Sequence, residues 1–207
     1  MIIPAYNEEK TIGNVLRSVK SIPLIDEIIV VNDSSNDDTS LIAKNYGVCV
    51  IDMPENTGKG GAISAGLKIC RFEIILLLDA DLIGLKMNHI YDLLIPVISD
   101  DFDMTVGIFK HGRTVTDFAQ KIAPRLSGQR ALKKKILEQI GDIDLIGYGL
   151  EASLTKLVKN KSYKVKEVYL KDLTHLTKEE KMGVMSGFSS RMKMYWDIVK
   201  VMKKNIK

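Results

Sequence analysis

The chain lacks most of the features that would assign it a class at a glance. It has no long apolar run, no cysteine framework, no internal repeat and no low-complexity segment. The longest uninterrupted apolar stretch, 74–78, is five residues, against the roughly 20 that a membrane-spanning helix takes. Two cysteines, Cys49 and Cys70, cannot build a disulfide scaffold and share no zinc-ligand spacing. Both lie in apolar stretches, which predicts small buried hydrophobes in a reducing, cytoplasmic setting. The opening Met1-Ile2-Ile3-Pro4 reads as a strand, without the basic leader and apolar core of a signal peptide. That strand is itself a candidate for a clipped start, short of a residue or two.

What is present is ordinary in amount: 207 residues, 45% hydrophobic and 27% charged. This suits one sizeable globular domain spanning 1–207, and no linker argues for two. Charge is distributed unevenly. Residues 1–150 hold 16 Lys/Arg against 20 Asp/Glu, whereas 151–207 hold 14 against 6, within a net charge of +4. The basic C-terminal part can attract phosphate, anionic lipid or nucleic acid, although a solvated helix face explains it as well.

The first half alternates strand-like and helix-like segments. Strands are predicted at 1–5, 27–31, 48–51 and 73–78, and helices at 8–21, 39–46 and from the loop at Gly58 to about Cys70. Gly47 falls where a helix-ending glycine belongs. Such alternation predicts an α/β fold with a mixed, mostly parallel sheet flanked by helices. The second half predicts a strand at 104–109, a short helix at 116–122, helices at 131–139 and 149–159, and a strand at 163–170. A last helix over 183–203 carries the apolar stripe Phe188, Met192, Tyr195, Trp196, Val199 and Met202.

Polar runs follow the early strands at their carboxyl ends, where ligands of such sheets bind. Asp79-Ala80-Asp81 closes the apolar strand, and two carboxylates so spaced can hold a hard divalent cation, or simply a solvated turn. Asn56-Thr57-Gly58-Lys59-Gly60-Gly61 opens a helix, where backbone N–H groups and a lysine suit phosphate. Its glycine spacing fits neither a Walker loop nor a dinucleotide fingerprint. Asp33, at the end of Val30-Val31-Asn32-Asp33, can accept a bond from a base N–H. Each of these signals is weak singly.

In this order, Pro4-Ala5-Tyr6-Asn7-Glu8, Val31-Asn32-Asp33-Ser34-Ser35, Asn56-Thr57-Gly58-Lys59-Gly60 and Asp79-Ala80-Asp81 resemble the family 2-like glycosyltransferases of the GT-A fold. The likeness covers residues 1–82. It implies a nucleotide-sugar-binding half there, with Pro4, Tyr6, Glu8 and Asp33 lining the nucleotide pocket and Lys59 near the base or diphosphate. It further implies that Asp79, Ala80 and Asp81 meet ribose and a divalent metal, Mg2+ or Mn2+, with Asp81 the more direct ligand. An acceptor half is expected over 83–175. Ser127-Gly128-Gln129-Arg130 followed by Gly147-Tyr148-Gly149-Leu150-Glu151 is similar to enzymes of the glucosyl-3-phosphoglycerate synthase type and to dolichol-phosphate-mannose-synthase-like proteins. By that likeness Ser127, Gly128, Arg130 and Tyr148, with Arg125 as a further candidate, would bind the acceptor. Glu151 would be catalytic or acceptor-positioning, and His175 would complete the metal shell.

The implied reaction moves one hexose from a nucleoside diphosphate sugar, with UDP-glucose favoured by resemblance alone, to a small phosphorylated or lipid-linked acceptor. No Gln-x-x-Arg-Trp signature of processive synthases is present. No nucleic-acid partner is expected, and oligomerisation stays open. The basic last helix is a candidate for peripheral contact at the inner membrane face. Two rival readings remain at this stage. One is a nucleotidyltransferase, whose glycine-rich loop would follow the first strand, where this chain has Tyr6-Asn7-Glu8. The other is a non-catalytic nucleotide-sugar-binding module.

Overall fold

The computed structural model describes residues 1–110, 127–140 and 149–175. Within these, nine strands and six helices follow one another. They are β1 (Ile2–Ala5), α1 (Ile12–Val19), β2 (Ile29–Asn32), α2 (Thr39–Asn45), β3 (Cys49–Asp52), α3 (Gly58–Ile69), β4 (Ile74–Leu77) and β5 (Leu82–Ile83). After these come α4 (Met87–Ile98), β6 (Met104–Lys110), β7 (Arg130–Lys133), α5 (Lys134–Glu138), α6 (Leu150–Asn160), β8 (Val165–Lys171) and β9 (Thr174–His175). Seven strands form one sheet in the order β3-β2-β1-β4-β7-β6-β8. Only β7 runs against its neighbours, antiparallel to both β4 and β6. The mixed, mostly parallel sheet expected from the alternation is therefore present.

Helices cover both faces, and the strands supply each face by turns because successive side chains of a strand point to opposite sides. Ile3, Leu76 and Leu78 join Leu16, Ile90 and Leu94 in one apolar cluster, while Ile2, Ile75 and Leu77 join Ile63, Ile136 and Leu154 in the other. A strand covered on both sides reads as an unbroken apolar run, which is what 74–78 is. Helix α3 lies especially close to the sheet. A Cβ added to Gly66 would stand 2.8 Å from Ile2 Cγ2 and 3.3 Å from Val31 Cγ2. Gly47 ends α2 with φ 67° and donates its N–H to the Lys44 carbonyl, as its position predicts.

Three expectations need correction. The predicted helix 131–139 is a strand, Arg130–Lys133, followed by a helix of only five residues. Ala131, Leu132 and Lys133 favour helix locally, but ladders to β4 and β6 and the burial of Ala131 and Leu132 in opposite cores outweigh that preference. Cys49 is exposed on an edge strand, while Cys70 is buried as predicted. The predicted helix at 8–21 is shorter, beginning at Ile12 after turns through Glu8. No described helix is long and apolar enough to cross a membrane. The predicted helices 116–122 and 183–203 lie outside the described residues.

Two outcomes follow. Gly66→Ala gains helix propensity of about 1 kcal/mol but overpacks a tight contact at about 1–3 kcal/mol, so urea denaturation is expected to show a net loss of up to about 2 kcal/mol. Increased stability would mean that Ile2 yields freely. The second outcome concerns Asp52, which accepts bonds from Lys44, Ser40 and Asn32. These partners, Lys44 first, hold its carboxyl down at about 2. Its contribution is therefore complete above the unfolded value near 4 and is lost as pH falls towards 2. Asp52→Asn is expected to flatten the acid limb of the stability curve, by a modest amount because the pair is half exposed.

Candidate active site

The carboxyl ends of β1, β2 and β4 and the starts of α3 and α6 converge on one polar cluster. Its first wall is a pair of loops tied together by backbone-to-side-chain bonds. Asn7, at φ 55°, donates its N–H to Ser35 Oγ and accepts the Asn36 N–H on its side-chain oxygen. Glu8 donates its N–H to Thr39 Oγ1. Tyr6 is held on this rim 46% exposed, with Pro4 half-buried beneath it.

Asp33 sits deeper and is 3% exposed. One carboxylate oxygen accepts the N–H and the hydroxyl of Thr57, at 2.8 and 3.0 Å, and the other accepts the Gly58 N–H at 2.8 Å. The glycine-rich turn thus opens α3 as expected, with these first amides directed at Asp33. A carboxylate at this end of a helix is favoured by both the unpaired N–H groups and the helix dipole.

Lys59, one residue into that helix, joins the two halves of the chain. Its ammonium lies 2.6 Å from Asp79 Oδ1 and 2.7 Å from Glu151 Oε1, with all three side chains at most one-fifth exposed. Burial alone would lower the lysine, but Asp79 and Glu151 reverse this and raise it above its ordinary value. Asp79 is likewise pushed up by burial, yet Lys59 and then His175 outweigh that and hold it below the usual carboxylate range. Glu151 stands in the first turn of α6, where its charge also faces the helix N-terminus.

The third group is built by a separate two-stranded ladder, whose strands follow β4 and β8 within a few residues. β5 pairs with β9 so that Leu82 faces His175, which sets the imidazole beside Asp81. His175 Nδ1 is 2.9 Å from Asp81 Oδ1, and the ring packs on Phe109 at 4.7 Å between centroids. Burial lowers the imidazole, but Asp81, by hydrogen bond and charge, raises it overall. Asp79, Asp81 and His175 each offer a ligand atom within 4.8 Å of one another. Two carboxylates and an imidazole gathered this closely are a donor set that suits a divalent cation, for which they would have to draw slightly together. Ala80, between the acids, is buried at 3%.

The acceptor-side expectations divide. Ser127 and Gly128 are at the cluster, and a Cβ on Gly128 would strike Lys59 Nζ and stand 2.7 Å from Asp79 Oδ2. Arg130 is not on the open side. It is 0% exposed, donating from Nε to the Ser127 carbonyl at 2.8 Å and from a terminal nitrogen to the Glu151 carbonyl at 3.4 Å. Arg130, expected to bind the acceptor, stands in this structure as an interior strut between β7 and α6. Burial also lowers it, to about 10, still charged at neutral pH. Tyr148 and Arg125 lie outside the described residues. Gln129, quoted in the motif but assigned no role, is fully buried against Asp79. Only its place beside Gly128 hinted at this.

Replacing Asp33 by alanine removes three bonds to a buried carboxylate. A loss of at least about 4 kcal/mol is expected, since bonds to charged groups contribute about 1.5–3 kcal/mol each. Urea denaturation checks this, and wild-type stability would mean that α3 caps itself.

Comparison with known proteins agrees with this geometry. Residues 1–149 match the model of glycosyl transferase family 2. An uncharacterized protein of Methanocaldococcus jannaschii is 29% identical over 222 residues, covering 94% of this chain and 89% of its own. A dolichyl-phosphate beta-glucosyltransferase of Trichomonas vaginalis is 38% identical over 95 residues, which are 39% of this chain and 29% of that enzyme. The fold is that of glucosyl-3-phosphoglycerate synthase from Mycobacterium tuberculosis, solved with Mn2+, UDP and glucosyl-3-phosphoglycerate. The TM-score is 0.77 at 22% identity, over 97% of this chain and 77% of that one. That enzyme has also been solved with Mn2+, UDP-glucose and glycerol 3-phosphate. The family match covers most of the sequence and includes Asp33, Lys59, Asp79 and Asp81: the chain belongs to glycosyl transferase family 2.

Proposed function

We propose that this glycosyltransferase moves a single hexose, from UDP-glucose in the first instance, to a small phosphorylated or lipid-linked acceptor. The observation that carries the reading is the meeting of Asp79, Asp81 and His175 at the end of β4, with Lys59 and Glu151 directly behind. Relatives support the choice of substrates: one acts on dolichyl phosphate and another has been solved with UDP-glucose beside a phosphorylated acceptor. The domain then divides in function at about residue 82, with the donor on β1 to β4 and the acceptor on the segments from β5 onward.

In this reading Pro4, Tyr6, Glu8 and Asp33 border the nucleotide. Asp79, Asp81 and His175 would hold a Mg2+ or Mn2+ ion. Such an ion neutralises charge on a departing diphosphate. Lys59 offers a positive charge at the same place, positioned before substrate arrives, so no reorganisation is needed when charge develops. Ser127 and Gly128 border the acceptor, whose hydroxyl must lie near the anomeric carbon. Glu151 is the group to orient that hydroxyl. An inverting reaction makes it the base that takes the proton, whereas a retaining one leaves it a positioning group, and the anomeric configuration of the product decides.

Calorimetry with UDP-glucose and GDP-mannose, with and without Mn2+, tests the proposal. Asp81→Ala is expected to abolish Mn2+-dependent donor binding and turnover while the protein still melts cooperatively. Undiminished activity in that variant would remove the metal from the site.

A further inference from the structure

We propose that Gln129 is a positioning residue for Asp79, fixing the rotation of its carboxylate so that the donor and metal site is ready before ligands arrive. The inference rests on the reading of that site given above. It starts from two hydrogen bonds between the same pair of residues, 50 positions apart in sequence. Gln129 Oε1 accepts the Asp79 N–H at 3.0 Å, and Gln129 Nε2 donates to Asp79 Oδ2 at 2.9 Å.

The two bonds define the amide. Turned over, its oxygen would face a carboxylate and its NH2 an N–H group, so only one orientation satisfies both partners. The side chain has no freedom to turn, because Gln129 is 0% exposed. Its own carbonyl accepts the Gly107 N–H at 2.8 Å, which fastens the backbone to β6. The other Asp79 oxygen receives Lys59 at 2.6 Å. Each carboxylate oxygen therefore has one protein partner. A carboxylate offers about four lone-pair positions, so each oxygen keeps one for a ligand.

The register explains how a residue outside the notable Asp-x-Asp reaches it. β4 and β7 pair antiparallel, with Leu77 opposite Arg130. Continued past the strand ends, that register sets Gly128 across from Asp79. A Cβ on Gly128 would stand 2.7 and 2.8 Å from the two carboxylate oxygens. With no side chain there, Gln129 reaches the carboxylate from the neighbouring position. The chemistry also requires a neutral amide. Glutamate would set a second anion against Asp79, and an apolar side chain would leave a buried N–H without its acceptor.

A bond that only fastens the end of β4 to β7 predicts different behaviour from one that aims a carboxylate. Misplacing a reacting group or ligand by an ångström weakens function far more than it weakens folding. Gln129→Glu keeps an acceptor for the Asp79 N–H but loses the donor to Oδ2. Gln129→Leu loses both. The measurement is the Mn2+ concentration giving half-maximal binding of UDP-glucose or GDP-mannose, read by calorimetry beside the metal-free melting curve. Folded Gln129→Glu is expected to need at least about tenfold more Mn2+, the size of effect attached to groups that orient metal ligands. Gln129→Leu is expected to be at least as impaired if it folds. A folded Gln129→Glu with the wild-type Mn2+ requirement, or a lower one, would overturn the inference while leaving the site reading intact. Absence of donor binding in the wild-type chain would overturn the site reading first.

Discussion

Lys59 carries one positive charge between two carboxylates, and the rest of the site is arranged around that bridge. The ammonium is within 2.7 Å of both Asp79 and Glu151, which come from the end of β4 and the start of α6. Two carboxylates this close in a largely dry place would repel each other and would lose hydration that nothing else replaces. The lysine makes the arrangement stable, and helix dipoles assist, since Glu151 opens α6 and Asp33 caps α3. Arg130 adds a second interior cation on the far side of Glu151 and is held less basic by burial. The acids of this site are thus compensated from inside the protein. What remains for a ligand on Asp79 is the second lone-pair position of each carboxylate oxygen.

This compensation shapes what enters. On the proposed reading, a diphosphate approaching the cluster would meet an ammonium that already has two anionic partners, so the lysine alone does not make the site electropositive. The additional attraction has to come from Asp81 and His175 holding a cation beside Asp79. Lysine and metal site are therefore complementary parts, one built into the fold and the other dependent on what binds.

Much of the first half could be read from the chain because local signals and tertiary demands agree there. The apolar run 74–78 is a strand buried on both faces, Gly47 adopts the left-handed cap, and the Gly58 turn opens a helix. The polar ends of β1, β2 and β4 do converge, as parallel strands require. Where reading failed, the deciding force was distant in sequence. Residues 131–133 prefer helix by composition and become strand because two neighbours offer ladders. Nothing near Arg130 in sequence announced its bond to the Glu151 carbonyl of α6. Helix α4 was hidden by Pro96, which lies inside it where a proline ordinarily breaks a helix. Gln129 left almost no signal, since its partner is 50 residues away.

His175 reaches Asp81 across 94 residues by way of a ladder only two residues long. Lys59 and both acids come from the N-terminal strands and α3, so the imidazole is the member of the metal cluster supplied from the other end of the described chain. His175 follows β8, the strand at the sheet edge, by only a few residues, so the place of the imidazole depends on that edge strand. Full assembly of the cluster thus reports that the chain has been made at least as far as residue 175. A chain cut before residue 174 would lack β9 and with it the imidazole beside Asp81.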